Sequence, residues 1–440
     1  MKGVANLPAR RLMAFLLVVF IFLLIVDAAT IQLQMYLMGG KVLVGNVVLK
    51  VAVVLLAAFG FLLYPKVRFA GLPVIAWLVC VAYLLLDMRH LLSAHDMTLV
   101  DVLQSYNAYY ALLLIGPFLI AFRGGVSERA IIRLTVFLFV ICAVIGWAQY
   151  LTVKPLLFTE SADGSFAINS WDFFEQVRAF SLFTSSMNFG LFCSLAGALG
   201  VALCRTMPKR GALLFVASAL ACFCTLTRLS YLVFACSCGY AWVLTFGKKP
   251  KRGLWYPPIF FFLGVTTIVV GLSTFTAASG NLQDTGSLIQ RIGQWGFYSE
   301  LIVQSSTTDK LFGLGIVQNE KLSSDYPMLI DSSPLALVLH IGIVGLVLFG
   351  VLLVKMWLYL RREAVATGRP FVIAAASFCA SFACAGIFNI VFMEVGAVFA
   401  LAVLCGGDRP LKRLHQGIAR RDNRLRKRPL SELVGSLKET

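Results

Sequence analysis

Apolar residues fill this chain in long runs, and polar residues gather in the short intervals between them. A helix needs roughly twenty predominantly apolar residues to cross the hydrocarbon core of a bilayer, and the runs have that length. They predict about twelve helical spans, near residues 11–28, 42–64, 68–87, 106–122, 130–152, 185–205, 211–227, 229–247, 255–275, 334–359, 371–388 and 389–406. The fold class expected is all-α: a polytopic integral membrane protein with one membrane domain over residues 1–408 and a tail at 409–440. Only two intervals are long, about 152–185 and 277–334, which leaves no room for a separate soluble domain. Loops beyond about fifteen residues in a compact protein are functional or disordered. Here Trp171, Phe173, Phe174, Trp295, Phe297 and Tyr298 among sparse charges argue against disorder.

Of 440 residues, 59% are hydrophobic and 13% charged, in keeping with that class. A net charge of +17 would point a soluble protein toward nucleic acid, but its distribution here is topological. Arg10 and Arg11 before the first span set the N-terminus inside, and every second interval then carries the basic residues. These are Lys66/Arg68, Arg123/Arg129/Arg133, Arg205/Lys209/Arg210, the run from Lys248 to Arg252, and Arg361/Arg362/Arg369, followed by the basic tail from Arg409. Both termini are therefore expected in the cytoplasm, with no nucleic-acid partner. The tail is either held inside by its charge or grips anionic lipid or a cytoplasmic partner. Val26 and Ala28 loosely fit a signal-cleavage site, but losing the first span would remove the inside start, so it is read as an uncleaved anchor. All eleven cysteines fall in apolar segments, which suits helix packing better than disulfides or a metal, and no metal site or cofactor is expected.

Charge inside an apolar run is the remaining irregularity. Arg228, in the stretch TLTRLSYL, interrupts an otherwise uncharged run over 211–246. At about 1.5 Å per residue that run is too long for one crossing and suits two, so Arg228 belongs to an outer turn. Thr225, Thr227 and Ser230 are hydroxyl residues that can satisfy the backbone groups such a turn frees. Alone, Arg228 reads as an arginine snorkelling to the outer headgroups. Arg178 and Arg291 share that side, each beside aromatic residues. Arginine's planar fork of donors suits phosphate, and three would suit a diphosphate. Salt bridges from Arg178 or Arg291 to Glu175 or Glu300 are the competing reading.

Four stretches in order resemble the bacterial O-antigen polymerase and ligase superfamily, specifically over about residues 170–360. RAFSLFTSSMNFGLF is similar to the segment entering a central helix, with an arginine, a Ser/Thr-Phe pair and an asparagine, here Asn188, before small residues. TLTRLSYLVFA resembles the family's Ser/Thr-Arg turn between two helices, and QRIGQWGFYSELIVQSSTTDKLFGLGI its Arg-x-x-x-Trp segment, with Trp295, running on to Gly-x-Gly. Asp331 and Ser332 followed by SPLALVLHIGIVGLVLF resemble the helix entry that closes the large outer loop. The resemblance implies a membrane-embedded glycosyltransferase of the C type in the bacterial inner membrane, taking a glycan on undecaprenyl diphosphate as donor at the periplasmic face. It implies membrane lipids and a chain-length regulator or other glycan-assembly membrane proteins as partners. Arg228 and Arg291 fall on family arginines assigned to the diphosphate, with Arg178 a looser match.

Ligases of that family carry a His-Asn pair where this chain has Asp331 and Ser332, which favours a polymerase of lipid-linked oligosaccharide repeats. Asp331 either accepts the acceptor hydroxyl's proton or caps the helix that Pro334 begins, and one residue can do both. Glu300, Asp284 and Glu320 are further outer acids, and His340 reads as a histidine hydrogen-bonded between helices. His90 and His95 are five apart and do not share a helix face, Lys50 can snorkel, and Glu394 near the last outer turn has water within reach. Gly313-Leu-Gly315 lacks the following lysine of a phosphate-binding loop. The competing functions are a ligase to lipid A-core and a flippase, which would line its path with intramembrane charges.

Overall fold

The computed structural model describes residues 7–26, 29, 47–63, 74–94, 98–99, 102–103, 106, 122–123, 125–154, 156, 172–173, 176–183, 185–247, 256, 259, 286–315, 332–388 and 392–405. Ten of the anticipated spans meet helices there: α1 (Leu7–Ile25), α2 (Val47–Leu63), α3 (Val74–Ala94), α4 (Glu128–Thr152), α5 (Ser186–Leu203), α6 (Pro208–Cys224), α7 (Arg228–Phe246), α10 (Ser333–Thr367), α11 (Pro370–Phe388) and α12 (Phe392–Cys405). Between α7 and α10 lie α8 (Gly286–Gln304) and α9 (Thr307–Phe312). The anticipated spans at 106–122 and 255–275 fall almost wholly outside the described residues. Among the described residues, five helices, α3, α4, α5, α7 and α10, are long and apolar enough to cross a membrane, the signature of a helical membrane protein. Its only described strands form a two-residue antiparallel ladder, β1 (Asp172–Phe173) against β2 (Gln176–Val177), inside the first long interval.

Local chemistry starts these helices. Ser127 accepts from Ala130 N at 3.3 Å and Ser185 from Asn188 N at 3.1 Å, while Pro208 opens α6. Ser306 accepts from Asp309 N at 3.1 Å and donates to the Asp309 carboxylate at 2.8 Å, a reciprocal start for α9.

Helix α5 is the axis of the bundle, buried at every residue from Phe189 to Leu203 and packed by α4, α6, α7 and α11. Burial on all sides needs an apolar helix with small residues where neighbours cross, since lipid offers no hydrophobic drive and close packing must substitute. Gly190 provides the crossing with α7, where an added Cβ would overlap the Ser230 side chain. Gly197 does the same against Phe234 and Cys238, with an added Cβ 3.0 Å from the Cys238 Sγ. Gly190→Ala is expected to force α5 and α7 apart and cost about 1–3 kcal/mol. Thermal unfolding of purified protein checks this: Ser230→Gly in the same chain should recover part of the loss, and equal melting of Gly190→Ala and wild type would refute the crossing.

Three of the basic residues expected on one side, Arg10, Arg123 and Arg369, meet at one end, while Lys66, Arg68, the run from Lys248 to Arg252 and the tail from Arg409 lie outside the described residues. Arg10 Nη2 donates to Arg123 O at 3.2 Å, Arg123 pairs with Glu363 at 3.8 Å, and Arg369 Nη1 donates to Cys405 O at 2.9 Å. Glu128 ties the start of α4 to α11 by accepting Phe371 N at 2.9 Å. Helix α1 is thereby built into the bundle, with Ala14, Leu17, Val18 and Ile21 fully buried. The ten described cysteines are free thiols.

Helix α10 is not continuous. Ile341 and Gly342 leave helical geometry, with Gly342 at φ +70°, dividing α10 into 333–340 and 343–367. In a membrane, carbonyls freed by such a break need donors from the protein. Leu314 N donates to Leu339 O at 2.8 Å, Gly315 N to His340 O at 3.3 Å, and Tyr83 Oη to Ile341 O at 2.5 Å. Gly313-Leu-Gly315 is thus the segment that seals the broken helix. Gly313, at φ +91°, and Gly342 lie backbone on backbone, and neither has room for a Cβ.

Candidate functional site

At the end of the bundle opposite those basic residues, the α6–α7 turn is compact. Thr225 Oγ1 donates to Cys222 O at 2.7 Å, closing α6, and Leu226 turns the chain at φ +48°. Thr227 Oγ1 gives its proton to Thr225 O at 3.0 Å, so in its 3.1 Å contact with Ser186 the serine is the donor. Of the three hydroxyls anticipated to satisfy this turn, Thr225 and Thr227 do so and Thr227 also stitches it to the first residue of α5, whereas Ser230 donates to Met187 Sδ at 3.5 Å. Arg228 is the first residue of α7 and is exposed. Among the described residues, no side chain caps this helix start. Its free N–H groups and the guanidinium therefore face the same surroundings, an arrangement that favours an anion.

The loop carrying Arg178 docks on that turn. Ala179 N donates to Cys224 O at 3.1 Å, and Arg178 lies within electrostatic reach of the Tyr231 hydroxyl on α7. Tyr231 donates to Phe223 O at 2.8 Å and stacks on Phe223, whose other neighbour is Tyr150. Two of the three expected arginines thus come from segments hydrogen-bonded to each other, beside an aromatic surface.

Sequence reasoning missed the residue that holds this loop. Gln149, 0% exposed in the last turns of α4, accepts from Ser181 N at 2.7 Å and Phe180 N at 3.2 Å. Its amide nitrogen donates to Ser181 O at 3.2 Å and Leu156 O at 3.4 Å. Ser181, at φ +55°, adds its own bond to Cys142 O at 2.7 Å. One amide thus replaces the secondary structure that the loop lacks. A polar residue amid the apolar run of α4 was the available signal, since a buried amide must be satisfied. Gln149→Leu leaves several buried backbone groups unpaired and is expected to cost roughly 3 kcal/mol or more while displacing Arg178. Unfolding measurements check the first effect. Protease cleavage within 178–183 checks the second, and an unchanged digest would refute it.

The other expected site residues divide. Asn188 lies in the first turn of α5, its backbone capped by Ser185, on the same end as Arg178 and Arg228. Arg291 is helical in α8, but its side chain lies outside the described residues. Trp295 is partly buried on α8, and its indole N–H finds no acceptor among the described residues. Three residues on, Tyr298 is 1% exposed and packs with Ala336 and Leu339, bringing α8 against the short half of α10. Asp331 lies outside the described residues; the cap position of α10 is Ser332, with no side-chain cap bond. Glu300, offered above as a salt-bridge partner for Arg291, accepts from Gln304 at 3.1 Å. His340 is buried beside the Tyr106 ring, with centroids 5.5 Å apart. His90 approaches Asp309 of α9 at 3.5 Å, and His95 is outside the described residues. No protein-family model and no curated protein matches the chain.

Proposed function

We propose that this chain is a membrane glycosyltransferase of about twelve spans that lengthens glycans carried on undecaprenyl diphosphate at the outer face of a bacterial inner membrane, both termini lying in the cytoplasm. The observation that carries the reading is the docking of the Arg178 loop on the Arg228 turn through Ala179 N and Cys224 O. It brings the backbone beside Arg178 against the turn that leads into Arg228 and an uncapped helix start, and guanidiniums at a helix start suit a departing diphosphate. In the reaction the bond between the donor sugar's anomeric carbon and the diphosphate oxygen breaks, and its electron pair leaves with the diphosphate. The acceptor sugar's hydroxyl oxygen forms the new bond, and its proton passes to a base, for which Asp331 is the candidate. Arg178, Arg228 and Arg291 neutralise the leaving charge, Asn188 and Trp295 contact the glycan, and neither metal nor nucleotide sugar is required.

Deleting the gene tests this against its competitors. A polymerase defect leaves surface glycan of a single repeat. A ligase defect leaves polymer on the carrier lipid and none on lipid A-core. Loss of lipid-linked repeats from the outer leaflet would identify a flippase.

A further inference from the structure

The polar interior between α3 and the break in α10 takes no part in the arginine surface. Tyr83, Asp87 and His90 lie at spacings of four and three on α3 and so share one helix face. Asp87, inside a candidate membrane span, is 0% exposed. Its Oδ2 accepts from the Tyr106 hydroxyl at 2.7 Å, while Oδ1 is buried and makes no hydrogen bond among the described residues. Tyr106 Oη is also 3.2 Å from Leu84 O, and its single proton serves one acceptor at a time. Beyond Tyr106 comes the His340 ring, on the last helical residue before the break, while Tyr83 one turn back holds Ile341 O. One turn on, His90 faces Asp309 on α9. Among the described residues, the titratable groups around the carboxyl are therefore Tyr83, His90, Tyr106, His340 and Asp309, and no lysine or arginine there pairs with it.

A bare carboxylate inside a span costs at least a few kcal/mol, and one hydrogen bond does not offset that. We propose that the Asp87 carboxyl binds a small monovalent cation, a proton or an alkali-metal ion, in the protein interior between α3, Tyr106 and the His340 end of the broken helix. The site joins two elements whose geometry depends on each other: the carboxyl reaches the short half of α10 through Tyr106, and the neighbouring Tyr83 holds the break itself. It is independent of the glycosyl-transfer reading, which Asp87 can fail without affecting.

Infrared spectra of the purified chain in lipid, compared with Asp87→Asn, test the proposal. A proton gives wild type a protonated-carboxyl carbonyl band at neutral pH that Asp87→Asn lacks. If Asp87→Asn does not fold, Asp87→Glu keeps the assignment, because it shifts the band instead of removing it. An alkali ion gives no such band but raises the melting temperature in sodium or potassium chloride over choline chloride, a shift lost in Asp87→Asn or altered in Asp87→Glu. A wild-type chain with neither the band nor the cation-dependent shift overturns the proposal.

Discussion

Arg228→Ala is expected to lower glycan lengthening about 100-fold or more while leaving the melting temperature nearly unchanged. The two effects separate because Arg228 is exposed and its turn is held by other groups: Thr225 on Cys222, Thr227 on Thr225, and Ser186 on Thr227. Removing an exposed side chain usually moves stability by no more than about 0.5 kcal/mol. Removing one preorganised donor from a developing oxyanion typically costs about 2.7–4 kcal/mol of the barrier, hence the activity loss. Arg228→Lys keeps the charge and loses the planar fork, so a drop of roughly tenfold, about 1.4 kcal/mol, is expected. Initial rates on a lipid-linked repeat measure both. Full activity in Arg228→Lys and Arg228→Ala would leave the arginine as a headgroup contact.

Gly342→Ala should be among the most damaging single-methyl changes in the described structure. Gly342 sits at φ +70° and ψ −177°, a region essentially reserved for glycine, where a side chain costs about 1–3 kcal/mol in backbone strain alone. Its added Cβ would also overlap Leu311 O and lie 2.6 Å from Phe312 N, both backbone atoms. Retreat of that segment would break Leu314 N to Leu339 O and Gly315 N to His340 O, leaving carbonyls of the broken helix unpaired. The sum is expected to exceed about 3 kcal/mol. Gly313→Ala should behave alike, since its Cβ meets His340 O and lies 2.7 Å from Gly342 N. Gly350→Ala, further along the same helix with open space at its Cβ, is the control and should be neutral or slightly stabilising. Thermal unfolding with a size-exclusion readout compares them, and equal melting of Gly342→Ala and Gly350→Ala would mean that α10 runs straight.

Hydropathy reads helices well because burial in lipid and burial in protein call for the same residues. Starts of α5, α6, α7 and α10 fall within a few residues of their expected positions, and capping serines and N-terminal prolines mark three of them. The turn at 225–228 was legible too, because no single crossing accommodates the run on both sides of Arg228. What hydropathy conceals is a helix that stops inside an apolar run. His340-Ile341-Gly342 looks continuous, since the donors that permit the break come from Gly313-Leu-Gly315 and Tyr83, distant in sequence. Chemistry alone placed Gly313-Leu-Gly315 outside the nucleotide loops without saying what it does. Gln149 was hidden for the same reason, its importance lying in which loop reaches it. The meeting of the Arg178 loop with the Arg228 turn was anticipated only as a shared side, and the bond between Ala179 and Cys224 makes it direct contact of the two segments.

The most direct test is the reaction itself: purified chain in lipid, given one synthetic undecaprenyl-diphosphate-linked repeat, with products separated by size. A ladder of lengthening glycans is expected from wild type, a weaker one from Arg228→Lys and about a hundredth of the wild-type product or less from Arg228→Ala. A single product formed only on supplied lipid A-core, repeats moved across the membrane without lengthening, or a ladder indifferent to Arg228 would contradict that expectation.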